Sequence, residues 1–263
     1  MRDRTHRRPI VYTLSSAKPP GSLVNPAANV VLAPRRLRCT RNFTILRAGF
    51  RFILCGDLYG PPRADRTPLP PRYHFARLFD TLDSRVEHIA GYVATALTSG
   101  IRTLVVAEAQ HWALAAERLT ALDLDLPRLQ AEGQLIVQPI DDLLPTLLRE
   151  GCLDVEQMER HFGSLIRTLT AHDQPLRMYG ELADVLVRAG QLSEALKVER
   201  FDARLSEDAR FTGLCGYSAH HFRAPEQADA LRQVCDTHDH VDAAPHDTLS
   251  HFLLASHLDA RPC

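Results

Sequence analysis

The chain has 263 residues, of which 45% are hydrophobic and 24% are charged, and these ordinary globular values exclude chain-wide disorder and collagen-like repeats. No run of about 18 uncharged apolar residues occurs, so the sequence predicts no membrane-spanning helix. The net charge of −1 hides an asymmetry, because residues 1–72 carry 14 Lys and Arg against three Asp (+11) and residues 73–263 carry −12.

The basic front, residues 1–72, does not have the pattern of a folded domain. It holds ten of the 17 prolines, and no apolar period of 2 or 3.6 persists in it for more than a few residues. We therefore predict a basic Pro/Arg-rich extension that is disordered, or sequence upstream of the true start. A transit peptide or a nucleic-acid-binding arm is the less favoured alternative.

From Tyr73 onward, short apolar strands alternate with amphipathic helices. In chain order, the predicted strands cover residues 74–79, 103–107, 135–137, 176–179 and 211–217, the last strand. The predicted helices cover residues 84–98, 109–121, 126–132, 141–149, 155–172, 181–189, 191–207, 225–237 and 251–258. Strands separated by helices predict an α/β fold with a mostly parallel sheet that is covered on both faces, in three layers.

Three aspartates are placed to cap helices in this pattern. Asp83, Asp125 and Asp154 each precede an apolar helical period, and a side-chain oxygen at the N-cap accepts from a free backbone N–H of the first turn. Pro127 suits the first turn of the helix that Asp125 opens.

Motifs that would identify an enzyme are absent from the sequence. The only two lysines, Lys18 and Lys197, do not follow a glycine, so no Gly-x-x-x-x-Gly-Lys-Ser/Thr phosphate loop exists. Gly-x-Gly-x-x-Gly after the first strand, Gly-x-Ser-x-Gly and His-Glu-x-x-His are also missing. We predict no catalytic residue and no cofactor, and a non-enzymatic role is favoured over an enzymatic one.

The six cysteines form no Cys-x-x-Cys pair and are expected to be reduced thiols. Cys215 is predicted to be a small core residue, with a ligand-facing thiol as the alternative. Cys235-x-x-His238-x-His240 resembles metal-ligand spacing but matches no strong pattern. We interpret these histidines as solvated groups on a polar tail and predict no metal site.

Polar residues follow the carboxyl end of each predicted strand, where ligands bind in open α/β sheets. In chain order they are Asp80, Glu108, His111, Gln138, Asp141, Glu181, Tyr217, Ser218 and His220. Glu181 follows Gly180 at a strand-to-helix junction, where it either caps the helix or meets a ligand. Glu199 lies among apolar residues of a helix and needs a partner such as Arg177, so we expect a structural ion pair there.

Several segments together resemble the MEDS domain (methanogen/methylotroph, DcmR sensory domain). The segments are Tyr73-His74-Phe75-Ala76-Arg77-Leu78-Phe79-Asp80, Leu97-Thr98-Ser99-Gly100, Thr103-Leu104-Val105-Val106-Ala107, Arg177-Met178-Tyr179-Gly180-Glu181-Leu182, Ala195-Leu196-Lys197-Val198-Glu199, Phe211-Thr212-Gly213-Leu214-Cys215-Gly216-Tyr217 and Val234-Cys235-Asp236-Thr237-His238-Asp239-His240. The resemblance covers residues 73–242 and leaves 243–263 as a C-terminal tail. Asp202-Ala203, Ser218 and Gly100-Ile101 depart from the family pattern.

The resemblance implies a fold similar to the RecA/KaiC-type ATPases without the phosphate loop. It also implies a sensory domain that binds a small molecule, such as a hydrocarbon derivative. Because the sequence leaves no room for the kinase or DNA-binding module that family members often carry, we expect a stand-alone cytoplasmic domain that signals through a regulatory protein such as a kinase or a sigma-factor regulator. The residues matched to a ligand-binding role are His74, Gly180, Glu181, Glu199 and Tyr217, to which the strand-end argument adds Glu108.

Two other functions stay open. The first is a degenerate nucleotide-binding enzyme of the RecA-like class, with Glu181 or Glu108 as a general base. The second is nucleic-acid binding through the basic front, which charge disfavours because the acidic body repels phosphates.

Overall fold

The computed structural model describes residues 73–259 and the side chains of residues 73–256. The predicted extension over residues 1–72 lies outside the described residues. The strands are β1 (Tyr73–Phe79), β2 (Arg102–Ala107), β3 (Leu135–Pro139), β4 (Leu148–Arg149), β5 (Cys152–Leu153), β6 (Leu176–Gly180), β7 (Phe211–Ser218) and β8 (His240–Ala243). The α-helices are α1 (Leu82–Thr98), α2 (Ala109–Thr120), α3 (Leu126–Ala131), α4 (Ile140–Leu147), α5 (Val155–Met158), α6 (Ser164–Leu169), α7 (Leu182–Arg188), α8 (Leu192–Asp208), α9 (Ala228–Asp236) and α10 (Thr248–Asp259).

Six strands form one parallel sheet in the order β3-β2-β6-β7-β1-β8. β1 lies in the interior of this sheet, in register with β7 from Tyr73↔Thr212 to Phe79↔Ser218. Because all six strands run the same way, their carboxyl ends share one edge. The predicted α/β fold with helices on both faces is confirmed.

Each face of the sheet has its own hydrophobic core, because successive side chains of a strand point to opposite faces. In β2, Val105 packs with residues of α1 and α2, whereas Leu104 and Val106 pack with residues of the helices on the other face. All three are at most 2% exposed. The continuous apolar run of β2 is therefore a strand buried on both faces, as predicted.

The prediction that the 211–217 strand is the last one is wrong. β8 follows α9 and pairs with β1 from Phe75↔His240 to Leu78↔Ala243. Its sequence His-Val-Asp-Ala has too little apolar character for a strand signal. The strand is stabilised instead by Asp242, which accepts from Nε and Nη2 of the buried Arg77 at 2.5 Å each.

The histidines near β8 are also not solvated, which corrects a second prediction. His238 is 3% exposed and His240 is 6% exposed. A segment rich in polar residues is solvated only when its side chains find no hydrogen-bonding or charged partners inside the fold. Here the Nδ1 of His238 lies 2.7 Å from the carbonyl oxygen of Val234, and the Nε2 of His240 lies 3.8 Å from Asp242.

Several element ends differ from the predicted ones. The N-cap of α1 is Thr81, whose hydroxyl accepts from the Ser84 N–H, rather than Asp83. The caps Asp125 and Asp154 are confirmed. The helix predicted to run to residue 172 is interrupted by a π-helical turn over Glu159–Gly163.

The helix predicted over residues 141–149 ends at Leu147. After it, β4 and β5 form a two-stranded antiparallel hairpin. Its turn residues Glu150 and Gly151 have φ of 52° and 80°, which is the left-handed backbone that two-residue hairpin turns require.

Candidate functional site

A polar cleft of about 190 Å³ opens at the edge where the carboxyl ends of β1, β2, β6 and β7 meet. Its lining residues are Phe79, Asp80, Thr81, Leu82, Arg85, Glu108, His111, Asp184, Arg188, Ser218, His220 and His221. Parallel α/β sheets bind their ligands at this edge. Five of the residues predicted from strand ends line the cleft, namely Asp80, Glu108, His111, Ser218 and His220.

Glu181 is the buried carboxylate behind this cleft, at 1% exposure. One of its oxygens accepts from Nη1 of Arg85 at 3.0 Å and from the Tyr179 hydroxyl at 2.7 Å. The other accepts from the Glu108 N–H at 3.0 Å and lies 2.9 Å from Nδ1 of His111. Glu181 makes no side-chain hydrogen bond to cap α7. The capping prediction is wrong, and the carboxylate organises the cleft wall instead.

The protonation state of Glu181 follows from these contacts. Burial raises its pKa, but the hydrogen bond from His111 and the charge of Arg85 outweigh burial and leave the pKa below its ordinary value. Glu181 is therefore ionised at neutral pH. Because a carboxylate only accepts, Nδ1 of His111 carries the proton, which leaves Nε2 of that ring for the cleft.

Asp184 is a second buried carboxylate, at 2% exposure. It accepts from Nη2 of Arg85 at 2.8 Å and from the Ser218 N–H at 3.0 Å, and it lies 2.8 Å from Nδ1 of His221. Burial raises the pKa of Asp184, but Arg85 and His221 together hold it below its ordinary value. The guanidinium of Arg85 thus joins two ionised carboxylates, Glu181 at the junction of β6 and α7 and Asp184 in α7.

The residues at the rim of the cleft are more exposed than Glu181 and Asp184. Arg188 donates from both terminal nitrogens to the two oxygens of Glu108 at 2.8 Å each. Nε2 of His220 lies 2.9 Å from the Asp80 carbonyl oxygen. The Asp80 carboxylate accepts from the N–H groups of Leu249 and Ser250 at the start of α10, so the cleft is linked to that helix.

Three other predicted residues, His74, Glu199 and Tyr217, lie together on the opposite side of the sheet from α1. Glu199 is fully buried, and its Oε2 lies 3.2 Å from Nε2 of His74 and 2.9 Å from Nε2 of His238. The Tyr217 hydroxyl donates to its Oε1, and the Cys215 thiol lies 3.4 Å from its Oε2. The predicted partner Arg177 is wrong, because that guanidinium stacks over the Tyr92 ring.

Charge and burial act in opposite directions in this cluster. Burial raises the pKa of Glu199, but His238 and His74 outweigh it, so the carboxyl is ionised. Burial raises the pKa of Cys215 well above its ordinary value, which keeps a free thiol protonated. Cys215 is 4% exposed, which confirms the predicted core position.

Gly180 lies in neither group of contacts and lines a small cavity beside the cluster. The cavity has a volume of about 20 Å³, close to the space of one water molecule. Its walls are apolar except at Asp202 and Cys215. Burial raises the pKa of Asp202 to about 7. As it stands, this cavity has no room for an organic ligand.

Four charged residues and histidines of the cleft were not predicted, namely Arg85, Asp184, Arg188 and His221. The first three lie inside α1 and α7, away from the strand ends that the rule considers, whereas His221 directly follows the predicted His220. A signal existed for Arg85 and Asp184, because each occupies a core-facing position of an amphipathic helix where a charge needs a partner. Gln138 lies within the edge strand β3 and Asp141 follows it, and neither lines the cleft.

The structure is thus an α/β domain with an open polar cleft at the carboxyl edge of its parallel sheet. The sequence profile of the MEDS family (MEthanogen/methylotroph, DcmR Sensory domain) matches residues 73–239. The chain therefore belongs to the MEDS family of sensory domains, and the resemblance predicted from the sequence is confirmed. A comparison with curated proteins finds no match.

Proposed function

We propose that this protein is a sensor that binds a small, neutral, hydroxyl-bearing hydrocarbon derivative in the carboxyl-edge cleft and signals through a regulatory protein. The observation that carries the proposal is the convergence of three histidines and Arg188 on one open cleft in a chain of a sensory family. Sensing needs binding without chemistry, and the cleft offers donors and acceptors on a rigid base formed by Glu181, Asp184 and Arg85.

The size and charge of the cleft narrow the ligand class. Pockets for drug-sized molecules span about 300–1,000 Å³. The cleft is smaller, at about 190 Å³, and suits a ligand of a few heavy atoms. Asp80, Glu108 and Asp184 line it against Arg85 and Arg188, and Glu181 lies behind. Carboxylates therefore outnumber guanidinium groups, which disfavours the binding of an anionic ligand. The same excess disfavours the alternative of a nucleotide-binding enzyme.

Asp80 provides a route from the cleft to a partner. Asp80 lines the cleft, and its carboxylate accepts N–H groups of the first turn of α10. A ligand hydroxyl that competes for Asp80 weakens this cap and loosens α10, a helix on which Phe252 is already 67% exposed. We propose that α10 presents the signal to a regulatory protein such as a kinase or a sigma-factor regulator.

We place the protein in the cytoplasm. Cys152 and Cys215 are free thiols in the described part of the chain, which suits a reducing compartment. Among the residues that the structure describes, no helix combines the length and the apolarity that crossing a bilayer requires.

The test is thermal unfolding of the full chain against short alcohols, diols, halocarbons, small carboxylates and ATP. A ligand at 100 times its Kd stabilises the fold by about 2.7 kcal/mol, which raises the midpoint measurably. We expect a shift with a neutral hydroxylated compound and none with ATP.

A matched pair of variants locates the binding. Arg188→Ala removes a cleft guanidinium, and Arg210→Ala removes one that pairs with Asp173 at the amino ends of β6 and β7. Arg188→Ala is expected to reduce the ligand-induced shift and Arg210→Ala to preserve it. A shift that responds equally to both variants, or a shift with ATP alone, contradicts the proposal.

A further inference from the structure

We propose that His74, Glu199, Cys215 and His238 form a zinc site in the core of the domain. The four donors come from four places in the chain: β1, α8, β7 and the turn between α9 and β8. Their ligand atoms all lie within 4.8 Å of one another, and all four residues are at most 4% exposed. Two imidazoles, a thiolate and a carboxylate are donors that zinc accepts in closed four-coordinate sites.

The spacing of the donors approaches the edges of a zinc tetrahedron. Bond lengths of about 2.0–2.1 Å to N and O and about 2.3 Å to S give edges of roughly 3.3 Å between N and O and 3.6 Å between N and S. The Glu199 Oε2 lies 3.2 Å from Nε2 of His74 and 2.9 Å from Nε2 of His238. The Cys215 sulfur lies 3.4 Å from both Nε2 of His74 and Oε2 of Glu199. If the donor atoms moved apart by a few tenths of an ångström, the space between them would hold the ion.

Both histidines are oriented as metal ligands usually are. Nδ1 of His74 lies 3.1 Å from the Thr237 carbonyl oxygen, and Nδ1 of His238 lies 2.7 Å from the Val234 carbonyl oxygen. A carbonyl only accepts, so each Nδ1 carries a proton, and each Nε2 is the nitrogen that faces Glu199 and can bind a metal in place of a proton. A ligating histidine commonly donates its other N–H to a backbone carbonyl in this way.

The carboxylate is held for one-oxygen ligation. The Tyr217 hydroxyl donates to Oε1 of Glu199 and leaves Oε2 facing the imidazoles and the thiol. Nε2 of the buried His238 lies close to Oε2 but has no hydrogen-bond partner of acceptable geometry. A buried polar atom in this state needs an explanation, and a metal bound between the donors supplies one.

Charge balance favours a divalent ion. Zn²⁺ with one thiolate, one carboxylate and two neutral imidazoles has no net charge, which suits a site inside a hydrophobic core. The metal replaces the proton of the Cys215 thiol, so binding releases protons. Sequence spacing pointed to Cys235-x-x-His238-x-His240, but only His238 of that set belongs to the site.

The test is metal binding by the full chain, stripped with a chelator and titrated with Co²⁺ as a spectroscopic substitute for zinc. We expect one Co²⁺ per chain, tetrahedral visible bands, a thiolate-to-cobalt charge-transfer band in the near ultraviolet, and displacement by one Zn²⁺. Cys215→Ser should abolish the charge-transfer band and weaken zinc binding by more than about 100-fold.

Cys235→Ser is the matched control, because Cys235 is also a buried cysteine but lies outside the four-donor set. It should preserve the band and the stoichiometry. A wild-type chain without a stoichiometric band, a band that survives Cys215→Ser, or a band lost with Cys235→Ser overturns the proposal.

A measurement on the wild type alone covers the case in which Cys215→Ser does not fold. X-ray absorption at the zinc edge of the zinc-loaded chain should show one sulfur and three nitrogen or oxygen neighbours. A shell without sulfur, or with more than one, overturns the proposal.

Discussion

At the scale of single residues, the cleft depends on Arg85. This guanidinium is 4% exposed and holds two buried carboxylates, Glu181 and Asp184, each of which fixes a second group of the cleft wall. A buried charge network is costly to break, because a lost partner leaves the remaining charges uncompensated. Arg85 therefore couples the stability of the domain to the geometry of the cleft.

Arg85→Leu should lower the free energy of unfolding at neutral pH by about 3–5 kcal/mol, measured by urea denaturation. Arg118→Leu is the control, because Arg118 forms an exposed pair with Asp83 and should cost less than about 1 kcal/mol. Equal losses for the two variants would contradict this account.

The same variant should change the pH dependence. In the wild type, the depressed pKa values of Glu181 and Asp184 give stability that is present above their ordinary values and lost as the pH falls through the folded values. Without Arg85, the pKa values of both carboxyls rise relative to their wild-type values, so the folded variant takes up protons at a higher pH than the folded wild type does. The stability deficit of the variant should therefore shrink as the pH falls toward the ordinary range of carboxyl pKa values. A deficit that grows over this range would contradict the assignment.

At the scale of elements, two glycines differ in the space around them: Gly216 lies in the central strand β7 and Gly91 in the helix α1. A Cβ at Gly216 of β7 would collide with the hydroxyl and ring of Tyr179 in the neighbouring strand, which holds Glu181. A Cβ at Gly91 of α1 meets no atom within 4 Å. The two positions therefore predict opposite effects of the same substitution.

Gly216→Ala should destabilise the domain by about 1–3 kcal/mol, because a packed core does not absorb an added methyl group. Gly91→Ala should stabilise it by about 0.5–1 kcal/mol through helix propensity. Thermal unfolding of the two variants beside the wild type measures both effects. An unchanged unfolding midpoint for Gly216→Ala would show that the core absorbs the added methyl group.

The α10 helix depends on its contact with β1. Asp80→Ala removes an acceptor for Leu249 and Ser250, and loss of a helix cap costs about 0.5–2 kcal/mol. Hydrogen exchange should increase in residues 248–256 and remain unchanged in β2. Uniform acceleration across the domain would show instead that Asp80 supports the whole fold.

The elements that the sequence predicted correctly share one property, which is a strong apolar period. β1, β2, β6 and β7 combine apolar residues with turns at both ends, so pattern alone identifies them. β8 has only Val241 and Ala243 as apolar residues to signal it, and it is stabilised by the long-range pair Arg77–Asp242. A contact between residues 165 positions apart has no local signature.

At the scale of the whole molecule, the sequence could predict the cleft but could not predict the buried cluster. Strand-end reasoning located the cleft, because every parallel strand delivers its carboxyl end to one edge. The buried cluster could not be assembled by pattern, since His74 and Cys215 meet only through the register Ala76↔Cys215 of neighbouring strands. The resemblance identified His74, Glu199 and Tyr217 one by one but did not place His238 among them.

β8 should be required for the domain to fold, although the family match ends at residue 239. A chain ended after Asp239 loses Asp242, the carboxylate partner of the buried Arg77. This loss should cost about 3–5 kcal/mol in addition to the lost strand pairing. A chain ended after Asp247 keeps β8 and should still unfold cooperatively by circular dichroism. Equal midpoints for the two chains would contradict the assignment of β8 as part of the core sheet.

Binding of the sensed molecule in the carboxyl-edge cleft should be visible in amide NMR of the isotope-labelled full chain with the same compounds. We expect perturbations from a neutral hydroxylated compound at residues 80–82, 108–111 and 218–221, with secondary changes at the start of α10. Perturbations confined to the opposite edge, near Asp173 and Arg210, or none with any compound, would contradict it.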